Sequence, residues 1–210
     1  GADAGNYALT ATIDSVTADI TAKSLTVSGI TADDKVYDGT TDATLQTGAA
    51  VFSGIISGDD LSINAGALVG NFSDKNAAVG KTVSVSGITL SGADAGNYAL
   101  TATIDSATAD ITPKALGLDL QGEGGKVYDG TTVITLSGIT PGLTGVIGGD
   151  SVTLDTGAVT GFADKNVGDD KAVTFTGFAL QGADAGNYSL TSGSATSTAD
   201  ITPKSLTVSG

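Results

Sequence analysis

Three phrases recur along this 210-residue chain, and their spacing constrains the fold more than any other feature. GADAGNY stands at 1–7, 92–98 and 182–188, spaced by 91 and 90 residues. KVYDGTT stands at 35–41 and 126–132, and ADIT at 18–21, 109–112 and 199–202. DKN recurs at 74–76 and 164–166, and the one-residue length change falls near Asn71, where GNF faces GF. Solenoid units usually run to about 20–50 residues. A unit near 90 residues has the size of a small β-domain with its own core. The spacing predicts two whole repeats, 23–112 and 114–203. Residues 1–22 read as the tail of a preceding repeat and 204–210 as the start of a following one, so the chain reads as an excised fragment. Such partial ends are expected to pair with a neighbour or fray.

Inside the unit, short alternating runs are separated by turn residues, the pattern of half-buried strands. Leu25 and Val27 alternate, as do Thr41, Ala43 and Leu45, Leu61 and Ile63, and Val83 and Val85. Tyr98, Leu100, Ala102 and Ile104 continue the series and Ile111 closes it, which predicts about seven strands per unit. A bulge at Gly87 is expected, because the alternation slips phase there. Thr and Val favour strands and Gly, Asn and Asp favour turns. Between the repeats, 109–116 carries no Gly or Ser run, and Pro113 and Pro203 push the preceding threonines toward extended backbone. A short, semi-rigid junction follows. Ala22 holds the proline position at the first junction, which is expected to be looser.

Composition excludes several functions. Twenty-two Asp and one Glu stand against nine Lys and no Arg, a net charge of −14, so no basic face for nucleic acid exists. With neither His nor Cys, catalysis by either residue is impossible and disulfides are absent. No apolar run approaches membrane-spanning length, so no membrane insertion is expected.

Asp94-Ala95-Gly96-Asn97-Tyr98, repeated as Asp184, Gly186 and Tyr188, resembles the tyrosine corner of immunoglobulin-like sandwiches. In that motif a tyrosine near the start of a late strand bonds back to upstream backbone. Leu100 and Leu190 would hold the core position two residues on, with Leu9 matching them in the partial copy. The expected fold is all-β: tandem small immunoglobulin-like β-sandwiches arranged end to end, with β-grasp-like repeats as the alternative.

KVYDGTT, GKTVSVSGITLSGADAGNYALT and TADITPK together resemble the YDG-type and related MBG-type repeats of very large secreted adhesins, the filamentous-haemagglutinin-like proteins of Gram-negative bacteria. The resemblance covers essentially the whole chain. It implies export to the cell surface, many tandem copies, and a non-catalytic structural role in adhesion or biofilm. The second copy departs from the first in reading Leu-Gly-Leu-Asp-Leu after the junction lysine and in carrying an inserted-looking Gly122-Glu123-Gly124-Gly125 stretch before its Tyr-Asp-Gly. Its first strand is therefore expected to be longer or differently paired.

Each candidate chemistry has a plainer rival. Tyr37-Asp38-Gly39 and Tyr128-Asp129-Gly130 fit a ligand contact, but Asp-Gly more simply makes a turn beside a buried ring whose hydroxyl is satisfied. Calcium needs six to eight converging oxygens. Asp33 with Asp34, Asp59 with Asp60, Asp74 with Asn76, and Asp169 with Asp170 are loop candidates. Asp19, Asp110 and Asp200, at the junctions, are better placed to stiffen them through an ion. The plainer reading of all these is solvated charge, and no cofactor is expected. VGKT at 79–82 lacks the upstream glycine of a phosphate loop. Asn71-Phe72-Ser73 and Asn187-Tyr188-Ser189 fit the glycosylation pattern at non-equivalent positions. Lys75 and Lys81 are candidate donors for a Lys–Asn crosslink. The expected partners are neighbouring repeats of the same chain. A module for surface polysaccharide or host glycan is the alternative, and association through open sheet edges or truncated ends a third reading.

Overall fold

The computed structural model of the chain describes residues 1–10, 15–102, 106–136, 138–156 and 161–209. It is all-β, 47% strand, with no α-helix among the described residues. Alternation decides which side chains go inward. In Ala78–Ser86, Lys81, Val83 and Val85 are buried while Thr82, Ser84 and Ser86 face water. Leu25 and Val27 do the same in Lys23–Ser28, and Ala109 and Ile111 in Ser106–Thr112. Ile104, expected to extend the strand from Tyr98, lies outside the described residues.

In the first repeat, Lys23–Ser28 lies between two neighbours. It runs parallel to Tyr98–Ala102, with Leu25 opposite Leu100, and antiparallel to Val51–Ser53, with Val27 opposite Phe52. A second sheet orders Lys35–Val36, Ser106–Thr112, Ala78–Ser86, Val69–Phe72 and Asp42–Ala43. Its first pair is parallel and the others antiparallel. The second repeat follows the same plan: Lys114–Gln121 sits between Tyr188–Leu190 and Thr140–Thr144. Ser194–Thr202 sits between Gly124–Val127 and Gly168–Thr176. Each repeat thus closes its early strands onto its late ones through parallel pairs, which need long crossovers. The seven-strand expectation undercounts the segmentation. Between Lys23 and Thr112 the described residues hold twelve strand segments, six of them two residues long. The longer first strand expected of the second repeat is present, since Lys114–Gln121 spans 8 residues against 6 for Lys23–Ser28.

The expected bulge is displaced. Gly87 follows the strand end at Ser86 with φ +72, where a Cβ would meet the Ala67 carbonyl at 2.0 Å. The register slips instead between Ala109 and Ile111 and at the matching place between Gly168 and Lys171. There Gly80 takes φ +66 and its counterpart Asp170 takes φ 50. The Asp110 carboxylate accepts the Gly80 N–H at 2.7 Å, and Asp200 accepts that of Asp170 at 2.8 Å. Two of the calcium candidates therefore cap bulges. Left-handed backbone costs a side-chain-bearing residue about 1–2 kcal/mol, partly offset by the chain freedom a glycine adds to the unfolded state. Asp170→Gly should therefore stabilise the chain by about 0.5–1 kcal/mol, read as a higher urea midpoint. A lower midpoint would show that the Asp170 side chain contributes more than its backbone strain costs.

Three buried clusters form the core. Val27, Ile30 and Val85 anchor one within the first repeat, and Ile134, Phe162, Val173 and Phe175 belong to one within the second. The third crosses the boundary. It joins Tyr37, Phe72, Val83, Ala109 and Ile111 to Leu116 and Tyr188. The strand ending at Thr112 and the one beginning at Lys114 are separated by Pro113 alone.

Candidate functional site: the seam between repeats

The recurrent phrases converge on that boundary. In KVYDGTT, the Lys35 ammonium donates to the Asp38 carboxylate at 2.8 Å, the Thr40 carbonyl at 3.0 Å and the Asp42 carbonyl at 2.9 Å. Asp38 in turn accepts the Thr40 N–H at 2.9 Å. This clasp closes a tight turn at Gly39 (φ +81). Burial alone would raise the Asp38 pKa, but the bonds from Lys35 and Thr40 hold it below the usual carboxylate range. Lys126, Asp129 and Thr131 repeat the clasp at Gly130. The turn reading of Tyr-Asp-Gly thus accounts for Asp38 and Asp129. In DKN, Asp74 accepts the Asn76 N–H at 2.8 Å and pairs with Lys81. That aims Lys75 and Asn76 across the boundary.

On the far side, each GADAGNY phrase forms a 3-10 turn followed by the tyrosine. Asp184 accepts the Ser151 N–H at 2.8 Å, which fixes the turn against the preceding loop. Gly96 and Gly186 have open space around them and no left-handed backbone, so nothing in their geometry demands glycine. Tyr188 accepts the Ile147 N–H at 3.1 Å and donates to Asp150 at 2.6 Å. Tyr98 does the same with Ile56 and Asp59. The tyrosine does bond upstream backbone, but it reaches some forty residues back, across the repeat rather than around a local corner. Leu100 and Leu190, two residues on, pack against the buried clusters.

Where the two sides meet, one carboxylate serves three donors. Asp150 accepts the Tyr37 hydroxyl at 2.8 Å, the Tyr188 hydroxyl at 2.6 Å and the Lys75 ammonium at 2.8 Å. Its side chain is 4% exposed. The Tyr37 and Tyr188 rings meet edge to face at 5.3 Å, with Lys75 above Tyr37. Asn187, buried, accepts the Ala77 N–H at 2.8 Å and donates to Asn76 at 3.2 Å. The hydrogen bond from Lys75, then that from Tyr188, lowers the Asp150 pKa to about 2. Burial, then Asp150, pushes the Tyr188 phenol up to about 12. The hydrogen bond to Asp150 also raises Lys75. The arrangement is a charge-assisted latch between two apolar faces.

Gly39 and Gly130 separate the demands of the turn from those of the seam. Their φ angles are +81 and +82. A Cβ on Gly39 would stand 3.3 Å from Ile147 of the next repeat, whereas one on Gly130 meets nothing. Alanine at either position strains the backbone by about 1–2 kcal/mol. Gly39→Ala should therefore lower the melting temperature further than Gly130→Ala. Equal losses would mean that Ile147 does not abut Gly39 in solution.

The remaining candidates are scattered. Asp19 is exposed and its segment joins no ladder. Asp34 accepts the Asp110 N–H, and Asp33 accepts from Gln46. Among the described residues no three His, Cys, Asp or Glu side chains are grouped to hold a metal ion. VGKT lies within the strand Ala78–Ser86. Lys75 and Lys81 each pair with an aspartate. Asn71 lies in the strand Val69–Phe72, and Asn187 is buried in the seam. Sequence reasoning missed Asp150, Asn76 and Asn187 as seam residues. The signal available was that DKN and GADAGNY recur unchanged at distances from KVYDGTT that differ by a single residue between the copies.

Residues 21–107 and 112–199 each match the family model of the YDG domain. No curated protein matches the chain.

Proposed function

Because the chain belongs to the YDG domain family, here present twice in tandem, we propose that its repeats are a non-catalytic stalk of a secreted, cell-surface bacterial adhesin serving adhesion or biofilm. Each repeat is a small sandwich of immunoglobulin-like plan, joined end to end to the next, and length delivers the function. One observation carries this reading. The residues most faithfully repeated, Tyr37, Lys75, Asn187 and Tyr188 among them, hold one repeat to another rather than line a deep cavity. Stacking on sugars, which the glycan-binding alternative requires, calls for exposed rings. Seven of the ten aromatic rings are buried, so the stalk is preferred. Small-angle scattering on dilute protein tests the proposal. An elongated particle of two repeats in line is expected, and a compact particle with the repeats folded side by side would refute it.

A further inference from the structure

The seam joins two unlike faces, and every chain carries one more of each. One face of the seam is made by Tyr37, Lys75 and Asn76, the other by Ile147, Asp150, Asn187 and Tyr188. One repeat further on, Tyr128, Lys165 and Asn166 stand where Tyr37, Lys75 and Asn76 stand. One repeat earlier, Ile56, Asp59, Asn97 and Tyr98 stand where Ile147, Asp150, Asn187 and Tyr188 stand. We propose that these two outer faces are halves of the same interface, and that separate copies of this chain dock head to tail through them.

Both faces are already shaped for it. Lys126 closes the turn beside Tyr128 with the bonds Lys35 makes beside Tyr37. Asp164 accepts the Asn166 N–H at 2.8 Å, as Asp74 does for Asn76. On the opposite face Tyr98 donates to Asp59 at 2.6 Å and Asp94 accepts the Asp60 N–H at 2.8 Å, matching Tyr188 with Asp150 and Asp184 with Ser151. What differs is occupancy. Among the described residues, Asp150 holds two hydroxyls and an ammonium, whereas Asp59 holds one hydroxyl. Asn187 is buried and Asn97 exposed, and Ile56 is 53% exposed. Each face borders a hollow. One, of about 280 Å³, is lined by Ile56, Asp59, Asn97 and Tyr98 together with Ile20–Lys23. The other, of about 430 Å³, is lined by Tyr128, Asn166, Val167 and Pro203 with Lys204 and Leu206.

The charges are complementary, Lys165 on one side and Asp59 with Asp94 on the other. The described residues of the flanking segments, 1–10, 15–22 and 203–209, join no strand ladder, so none of them must break one to move aside. Because the two faces differ, the contact is heterologous and leaves one face of each kind free at the ends, so growth is open-ended unless the rotation closes a ring. A short covalent connection gives the internal seam an effective concentration on the order of millimolar. A seam that is closed within the chain must have a dissociation constant below that value, so free copies are expected to associate at or below about 1 mM.

Sedimentation of the full chain across a concentration series up to about 1 mM tests this. The weight-average mass is expected to rise through dimer and trimer without a plateau. Lys165→Asp spoils one outer face and Asn97→Arg the other, both at exposed positions. Each variant alone should remain monomeric. Their equimolar mixture should stop at dimer, because one intact pair of faces remains. A chain monomeric at 1 mM, or single variants that still form the series, would overturn the proposal. So would dimers that appear only after unfolding and refolding, which would denote strand exchange. The inference rests on the seam and not on the stalk reading. An elongated monomer that never associates would remove this proposal and leave the stalk standing.

Discussion

Asp150→Ala should split the unfolding of this chain into two transitions. With the carboxylate in place, the repeats share a buried cluster and a latch of three donors on one acceptor, and calorimetry should show them melting together. Removing the acceptor leaves two phenol groups and an ammonium without their partner in a mostly dry site. Loss of one side of a buried charged contact costs about 3–5 kcal/mol. Lys75 is 39% exposed and can turn to water, so a coupling loss of about 3 kcal/mol is expected. Asp59→Ala, the same change at the outer face, removes the acceptor of one hydroxyl and should cost about 1 kcal/mol without changing the number of transitions. A single transition in Asp150→Ala, shifted no further than in Asp59→Ala, would mean the latch does not couple the repeats.

The same carboxylate gives the coupling a pH window. Asp150 is lowered from 3.8 to about 2, so its contribution is fully present above about pH 4 and fades as pH falls toward 2. Tyr188 is raised from 10.0 to about 12, so its contribution is present below pH 10 and fades as pH rises toward 12. Between these limits the coupling should not depend on pH, and the unmodified chain should keep its single transition.

Tyr37→Ala should cost far more than Tyr128→Ala, although the two tyrosines sit in identical heptapeptides. Tyr37 is 1% exposed, packed against Tyr188 and bonded to Asp150. Truncating a buried aromatic costs about 3–5 kcal/mol. Tyr128 is half-buried against the second repeat's own cluster, and about 1–2 kcal/mol is expected there. Urea midpoints of the two variants decide the matter directly. Equal losses would show that the turn, and not the seam, is what the tyrosine serves.

Much of this was legible beforehand. The spacing of GADAGNY and KVYDGTT located the repeats, and the alternation of Leu25 with Val27 and of Val83 with Val85 located strands and their inner faces. Pro113 marked a boundary that proved one residue long. A buried ring at Tyr37 with a satisfied hydroxyl was readable from its setting. Its acceptor was not, because Asp150 lies 113 residues away and the second copy of the motif has no such partner among the described residues. The parallel pairing of Lys23–Ser28 with Tyr98–Ala102 was equally hidden, since period-two alternation tells which face is buried but not which strand lies alongside. Gly87 misled because a strand end and a bulge both interrupt alternation. That Asp110 and Asp200 cap bulges was not readable, because a carboxylate that accepts a backbone N–H has the same letter as any other.

The single proline between Thr112 and Lys114 has a mechanical consequence. Between one ladder and the next there is about 3.5 Å of covalent chain to draw out. A pull on one repeat therefore meets no slack and passes to its neighbour while both remain folded. Extension under tension should then come from the rupture of whole repeats, in steps, rather than from gradual uncoiling of connectors.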